Sequence, residues 1–329
     1  MQEKNVVTID YLGDPERFAD FLNARWFGGR KVLWPENIQE CKPASSRIWK
    51  NSGTLHTSEV TRDLVRKVKL GSCTILVALE AQSDIHYAMP VRVMNGDSMQ
   101  YHEQWRRIRR RHRKKKDLRG AQYLSGFSRN DTVYPVVTLV IYFGRKPWDG
   151  PRSLREMMAP VISEERFPGY SDNFAQVQAH IADYPLWLTE VRSFPHLEYF
   201  RTDLGIVFGF LANDSDPGKL RAFLSIHKKE FQSLREDAYD MITVMSQDWK
   251  LAELKQDYQN EKGEVDMCKA IDGLLKEEFQ TGFQSGEENG IRLTKKVFLL
   301  WNSGTPKAEI AKECDISPEK VNRILEWDE

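Results

Sequence analysis

The feature that most constrains the fold is the segment VYPVVTLVIYFG at positions 133–144, which is almost entirely apolar and rich in β-branched residues. A second run, Thr74 to Leu79, has the same character. Short runs that are apolar throughout are typical of strands buried on both faces of a sheet. Such a sheet needs helices on both faces, so the two runs predict an α/β core.

A hairpin is predicted around the second run. Residues 61–70, TRDLVRKVKL, are separated from residues 73–80 by a Gly-Ser pair at 71–72. A link this short favours two antiparallel strands joined by a tight turn. The order strand, strand, helix, strand then fits a sheet covered by helices.

Two helices are expected next to these strands. Residues 14–27 carry apolar side chains at helical spacing, with Asp14 as a cap and Pro15 at the first helical position. A second helix is expected to open near Pro90, with Asp84 as its candidate cap, and to continue into a basic segment.

The 329 residues fit about two domains. The sequence predicts a core over 1–153 and a mainly helical region over 154–280 that packs on or extends it. A Gly-rich linker over 281–293 and a separate C-terminal tail over 294–329 are expected to follow.

Composition favours a cytoplasmic protein with no membrane partner. Hydrophobic residues make up 40% of the chain, but no run of about 18 uncharged apolar residues exists. The first residues lack the basic and then apolar pattern of a signal peptide. The cysteines are scattered without CxxC spacing and are expected to be reduced thiols: Cys41, Cys73, Cys268 and Cys314.

The zero formal net charge hides a basic block. Residues 101–119 contain ten lysines and arginines but only two acidic residues, a local charge of +8. A compact basic block on an otherwise acidic protein indicates a phosphate-binding surface of the kind that contacts nucleic acid. The alternative is a solvated helix end, since like charges repel and extend a chain.

Carboxylates stand where the predicted hairpin opens. Asp63 lies near the start of the first predicted strand, Glu80 lies at the end of the second, and Gln82 follows two residues later. Alternation along a strand places Glu80 and Gln82 on one face. The carboxylates of Asp63 and Glu80, with the Ala81 carbonyl, would suit a hard divalent cation such as Mg²⁺. Gln82 would lie beside the metal and orient a water. The alternative is an ordinary solvent-exposed strand end.

Longer stretches resemble the bacterial Rpn family of recombination-promoting nucleases, also described as transposases, within the PD-(D/E)XK nuclease superfamily. The most specific strings are EAQSDIHYAMPVR (80–92) and PVVTLVIYFG (135–144) followed by PWDGP (147–151). Further similar text lies at TRDLVRK (61–67), FRTDLGIVFGFL (200–211) and GEVDMCKAIDGLL (263–275). The similarity covers roughly the first 280 residues in order.

The resemblance implies a restriction-endonuclease-like core, a mixed sheet flanked by helices, that cleaves DNA phosphodiesters with Mg²⁺. Mn²⁺ or Ca²⁺ would be substitutes. Asp63 matches the metal-binding aspartate, and Glu80 and Gln82 match the E-x-Q of this branch. A carboxylate of the first helix often completes such sites, and Glu16 and Asp20 are both candidates.

The resemblance also implies supporting residues. Gln100 and Tyr101 match a helix that places polar groups near the metal in related nucleases. Arg92 and the arginines of the basic block would bind the phosphate backbone: Arg106, Arg107, Arg109 and Arg110.

Gln82 stands where the parent superfamily has lysine, and an amide is neither a base nor a cation at neutral pH. A slow enzyme is therefore expected. The alternative is a DNA-binding, regulatory or transposase-related protein with a degenerate site.

The tail predicts a helix-turn-helix. Thr305 and Ser317 can each cap a helix that a proline opens. On the last helix Lys320, Asn322 and Arg323 would face outwards and read DNA. The tail is not strongly basic, so avidity through the core or a homodimer would be needed. The alternative is a plain helical hairpin.

Overall fold

The computed structural model describes residues 2–41, 47–51, 54–58, 64–158, 176 and 180–326. The chain divides into two compact units, residues 1–267 and residues 268–329. Each unit is described by itself below.

The first unit is built on a five-stranded mixed sheet. Its strands are β1 (Ile38–Glu40), β4 (Leu64–Leu70), β5 (Cys73–Gln82), β6 (Val136–Tyr142) and β7 (Trp187–Glu190), side by side in that order. The β1-β4 and β4-β5 pairs are antiparallel, and the β5-β6 and β6-β7 pairs are parallel. Two separate pairs are formed by β2 (Arg47–Asn51) with β3 (Thr54–Ser58), and by β8 (Leu234–Arg235) with β9 (Glu264–Val265).

The predicted hairpin is confirmed. Strands β4 and β5 pair from Leu70↔Cys73 to Leu64↔Leu79. Gly71 turns the chain with a φ of 59°, in the left-handed region that costs glycine no steric strain. The central strand β5 then pairs in parallel with β6, and the segment between them contains a helix, the kind of crossover that a parallel pair requires.

One face of the sheet packs against helices through aromatic rings. Helix α2 (Pro15–Phe27) begins as predicted, because the Asp14 carboxylate accepts hydrogen bonds from the amides of Glu16 and Arg17. Phe208 lies on a later helix and makes edge contacts with Phe21 of α2 and with Phe143, just after β6. A helix that the sequence did not predict, α1 (Gln2–Gly13), precedes α2.

Helix α3 (Met89–Lys115) packs on the opposite face. Its first turns join an apolar cluster with β6, β7 and Trp148, formed by Met89, Val93, Val140, Tyr142, Leu186 and Leu188. The residue that precedes α3 is Ala88, without a side-chain cap. The prediction that Asp84 caps this helix is therefore wrong, because four residues separate Asp84 from the first turn.

The described residues between 154 and 280 are mainly helical, but they also supply β7, which completes the sheet. Its short length, four residues, gave no clear strand pattern. The helices of the first unit beyond α3 are α4 (Gly120–Ser125), α5 (Leu154–Met157), α6 (Leu204–Asn213), α7 (Pro217–Ile226), α8 (Lys228–Phe231), α9 (Glu236–Ser246) and α10 (Trp249–Leu254).

The described residues of the second unit form the helices α11 (Met267–Asn302), α12 (Lys307–Glu313) and α13 (Pro318–Leu325). Residues 281–293, predicted as a flexible linker, lie inside α11. Each of its glycines costs about 1 kcal/mol relative to alanine, but the neighbouring Glu, Gln, Leu and Lys residues favour helix. In the described part of the chain, none of the helices is both long and apolar enough to cross a membrane.

Candidate active site and nucleic-acid surface

The candidate active site lies at the carboxyl end of β5. The Glu80 side chain is only 4% exposed, and its Oε2 lies 3.0 Å from Nη2 of Arg92 on α3. An ionised carboxylate is costly to bury unless a cation or hydrogen-bond donors compensate it. Arg92 is 34% exposed. The partly exposed Arg92 guanidinium therefore connects the buried Glu80 carboxylate to the protein surface at the first turn of α3.

Three polar side chains share this edge of the sheet. Gln82, Tyr142 and Glu190 are register partners on β5, β6 and β7. Gln82 lies on the same face as Glu80, since it is two residues further along the strand. Burial raises the pKa of Tyr142, and Asp84 and Glu190 raise it further, so its hydroxyl stays protonated at neutral pH.

The two strings that carry most of the family resemblance meet at this edge. The hydroxyl of Tyr87 donates to Oδ1 of Asp149 at 3.1 Å. A Cβ placed on Gly150 would lie 3.1 Å from the Ile85 side chain, so the loops pack tightly. A cavity of about 440 Å³ opens beside them. Its charged lining residues are Asp84, Arg145, Lys146, Asp149 and Arg192.

Asp63 lies outside the described residues. Strand β4 begins at Leu64, directly after Asp63 in the sequence, and Leu64 pairs with Leu79, directly before Glu80. Within the described ranges, no group of three or more His, Cys, Asp or Glu residues is placed to hold a metal ion.

The two first-helix carboxylates occupy different surroundings. The Asp20 carboxylate is buried and accepts hydrogen bonds from the Arg201 amide, the Thr202 amide and the Thr202 hydroxyl. These bonds fix the loop before α6, which is a structural role. Glu16 is exposed and lines a different cavity. Neither carboxylate lines the cavity at the carboxyl edge.

Gln100 and Tyr101 lie away from Glu80. Gln100 lines a cavity together with Leu76, near the opposite end of β5. The Tyr101 hydroxyl accepts a hydrogen bond from the Val136 amide, at the start of β6. Eight residues of helix, about 12 Å, separate Arg92 from Gln100. The expectation that Gln100 and Tyr101 lie near the metal site is wrong, because α3 runs antiparallel to β5.

A buried carboxylate that the sequence did not single out lies on the same face of the sheet. Asp97 on α3 is 3% exposed and accepts hydrogen bonds from the hydroxyls of Thr138 and Tyr184. These bonds join α3 to β6 and to the segment before β7. Its place in the middle of α3 and its neighbours indicate a structural role.

Most of the arginines predicted to bind DNA are engaged within the protein. Arg106, Arg107 and Arg110 all lie within 3.7 Å of the Glu103 carboxylate. Arg109 lies over the Trp105 ring, 5.3 Å from its centroid. The arginines are more than half exposed where they pair with Glu103, and exposed ion pairs of this kind are worth only about 0–1 kcal/mol. They can therefore exchange Glu103 for a phosphate.

His112 stands between two carboxylates. Its Nδ1 lies 2.7 Å from Asp117 and its Nε2 lies 2.7 Å from Asp131. Hydrogen bonding to Asp117 and then to Asp131 raises the pKa of His112, while desolvation opposes this. Both ring nitrogens then act as donors, which requires the charged imidazolium.

We expect an NMR titration of the His112 ring to give a pKa above the ordinary value of about 6.5. A raised pKa means that the ion pairs are complete below about pH 6.5 and are lost as the pH rises through the folded-state value. Asp117→Asn and Asp131→Asn are each expected to lower the His112 pKa. An unchanged pKa in both variants would contradict the arrangement.

The second unit has a small apolar core of its own. Val297, Ile310, Ala311 and Val321 are buried, with Ile316, Ile324 and Leu325 packed against them. Ser317 caps α13 by accepting a hydrogen bond from the Lys320 amide. Lys320 and Arg323 are exposed, as predicted. Asn322 is half-buried and its Oδ1 has no hydrogen-bond partner among the described residues, so its side chain does not face outwards freely.

Comparisons of the chain with protein-family models, with curated proteins and with solved structures gave no match.

Proposed function

We propose that the protein is a metal-dependent DNA endonuclease of the Rpn type, with a PD-(D/E)XK core, that promotes recombination. One observation carries the proposal: a buried glutamate near the carboxyl end of the central strand of a mixed sheet pairs with an arginine of the helix that continues as the basic segment. Polar side chains at the carboxyl ends of parallel strands are a common place for chemistry in α/β proteins.

The residues at this edge suit a hard divalent cation. Glu80 pairs with the Arg92 guanidinium, which would have to turn towards solvent for a metal to take its place. Glu80 and the Ala81 carbonyl are oxygen donors of the kind that Mg²⁺ prefers. Asp63, which directly precedes β4, would be the second carboxylate ligand. When bound, Mg²⁺ would supply Lewis-acid stabilisation of the charge that develops on the scissile phosphate.

The chain itself would bind and orient the substrate. Arg92 can donate to a phosphate oxygen, because its guanidinium is partly exposed and has donors beyond the one that Glu80 accepts. Gln82 can orient the attacking water by hydrogen bonding, but it cannot take a proton from it. Without a protein base, the proton passes to solvent or to a phosphate oxygen. A low turnover rate follows.

DNA would lie along the basic segment of α3, and α13 would add contacts through Lys320 and Arg323. Contacts to phosphates hold DNA without reading its sequence. A homodimer would double these weak contacts and raise the avidity.

A DNA-binding protein with a degenerate site is the second candidate. The observation that favours it is the pairing of Arg92 with Glu80, which uses a carboxylate that a metal would need. The presence of Gln82 where the parent superfamily has lysine also favours this second candidate. A transposase would in addition need to recognise and rejoin DNA ends.

The two candidates are separated by nicking of supercoiled plasmid with Mg²⁺, with EDTA and with an Asp63→Asn variant. An endonuclease nicks only with Mg²⁺, and the variant loses nicking but still shifts DNA in a gel. A protein that shifts DNA in the gel and never nicks it, with Mg²⁺, Mn²⁺ or Ca²⁺, is a binding protein.

A further inference from the structure

The basic block falls into two parts with different surroundings. The first part, around Arg106, Arg107 and Arg110, is paired with Glu103. The second part consists of Arg113, Lys116 and Arg119, at the end of α3 and in the turn that follows. Within the described residues, no carboxylate lies within ion-pair distance of these three side chains. The unbalanced positive charge is therefore concentrated at the end of α3.

A cleft of about 760 Å³ lies at this point, between the end of α3 and helix α4. Arg109, Arg113, Lys116 and Arg119 line it, and none of the acidic side chains that the structure describes does. The two carboxylates nearest in sequence, Asp117 and Asp131, are held by His112. The charge of the cleft thus fits an anion, and its volume falls in the range of about 300–1,000 Å³ typical of ligand sites.

An exposed aromatic ring completes the cleft. Tyr123 on α4 is 71% exposed and Leu124 is 81% exposed. Both line the cleft. The position of α4 is fixed, because the Trp105 indole donates to the Ser125 carbonyl and the Arg109 stem packs on Gly126. A Cβ on Gly126 would lie 2.4 Å from Arg109 Cγ, so only glycine permits this contact.

We propose that this cleft binds an unpaired nucleotide of a single-stranded or branched nucleic acid, with the base stacked on Tyr123 and the flanking phosphates on Arg113, Lys116 and Arg119. An aromatic ring within a row of cations is the arrangement that single-strand-binding proteins use. The bases of a duplex are stacked on each other and cannot reach such a ring. The inference rests on the proposed function, for which it names the substrate class: DNA that contains unpaired nucleotides.

The test is fluorescence anisotropy of a labelled oligo-dT and of a blunt hairpin duplex, both in EDTA so that cleavage is excluded. The wild type is expected to bind oligo-dT more tightly than the duplex. Tyr123→Ala is expected to weaken oligo-dT binding by about 5- to 100-fold, the range found for loss of one stacked base. Tyr123→Phe keeps the ring and is expected to stay within about 2-fold of wild type.

A second set of variants tests the binding of phosphates. One variant changes Arg113, Lys116 and Arg119 to Gln. Its slope of log Kd against log salt is expected to be smaller than that of wild type by about 0.7 for each phosphate that the variant no longer neutralises. The matched control changes Arg221, Lys228 and Lys229 to Gln, which removes three exposed positive charges from α7 and α8. The control is expected to leave the slope nearly unchanged.

Three outcomes would overturn the proposal. Tyr123→Ala binding oligo-dT as tightly as wild type would exclude stacking, and equal slopes for the two charge variants would exclude the cleft. Binding to vesicles of phosphatidylserine but not to oligo-dT would make the cleft a membrane-facing surface.

Two further outcomes distinguish this inference from the proposed function. Binding to oligo-dT in EDTA without nicking in Mg²⁺ would refute the endonuclease and leave the cleft in place. Nicking in Mg²⁺ without preference for oligo-dT would refute the cleft and leave the endonuclease in place.

Discussion

A Glu80→Gln variant is expected to lose Mg²⁺-dependent nicking by at least about 100-fold, the loss typical when one charge-stabilising group is removed from an active site. Glutamine has nearly the same shape as glutamate but carries no charge, so it cannot serve as a carboxylate ligand. The change also removes the counter-ion of the Arg92 guanidinium, which lies 3.0 Å from the Glu80 carboxylate in the wild type. Because Arg92 is partly exposed, water can solvate it and the fold should survive. Supercoiled-plasmid nicking at equal protein concentration measures the effect.

The matched control is Asp97→Asn, another buried carboxylate on the same face of the sheet. It accepts hydrogen bonds from the hydroxyls of Thr138 and Tyr184. The nicking rate of this variant is expected to stay within about 10-fold of wild type. That reduction is smaller than the reduction caused by removing a group that stabilises the transition state. DNA gel shifts should be equal for both variants. A Glu80→Gln protein that nicks as fast as wild type would place the chemistry elsewhere.

The central part of the sheet could be predicted because its signal is local. Strand β5 and its hairpin partner carry an apolar pattern and a Gly-Ser turn, and β6 is apolar throughout. Strand β7 has only four residues, and its pairing with β6 is set by tertiary contacts. Helix α1 holds Val6, Val7 and Thr8, β-branched residues that disfavour helix, and so its sequence pattern gave no clear signal.

The candidate site could be predicted from local sequence patterns only in part. The pairing of Glu103 with Arg106, Arg107 and Arg110 follows from their spacing of three, four and seven residues, a signal that the sequence itself contains. The pairing of His112 with Asp131 joins residues 19 apart through a loop, which no local pattern encodes. The cluster of cations at the end of α3 could be recognised only after these pairs were assigned.

An Arg17→Met variant is expected to have the largest effect on stability. The Arg17 side chain is 1% exposed, and its two terminal nitrogens lie 2.6 Å from Asp203 and 2.5 Å from Asp237. Its guanidinium also lies 4.0 Å from the centroid of the Tyr11 ring. Loss of one partner from a buried ion pair costs about 3–5 kcal/mol, because the remaining charges stay uncompensated. Urea denaturation followed by circular dichroism measures the free energy of unfolding.

The exposed Arg30 provides the control, since Arg30→Met makes the same chemical change at the surface. Its expected cost is below about 0.5 kcal/mol. Changing Asp203 and Asp237 to Asn in the Arg17→Met background removes the uncompensated charges and is expected to recover part of the loss. Equal unfolding free energies for Arg17→Met and wild type would show that the three charges do not form a stabilising network.

The same network makes a prediction about acid. Although burial raises it, the hydrogen bonds from Arg17 lower the pKa of Asp237 below its usual value. A carboxyl whose folded-state pKa is lowered contributes stability above its unfolded-state pKa, about 3.9, and loses it as the pH falls through the folded-state value. Arg17→Met removes that contribution. The difference in unfolding free energy between wild type and Arg17→Met should therefore be constant near neutral pH and narrow below about pH 4. A difference that stays constant in acid would mean that Arg17 acts through packing on Tyr11 and not through its charge.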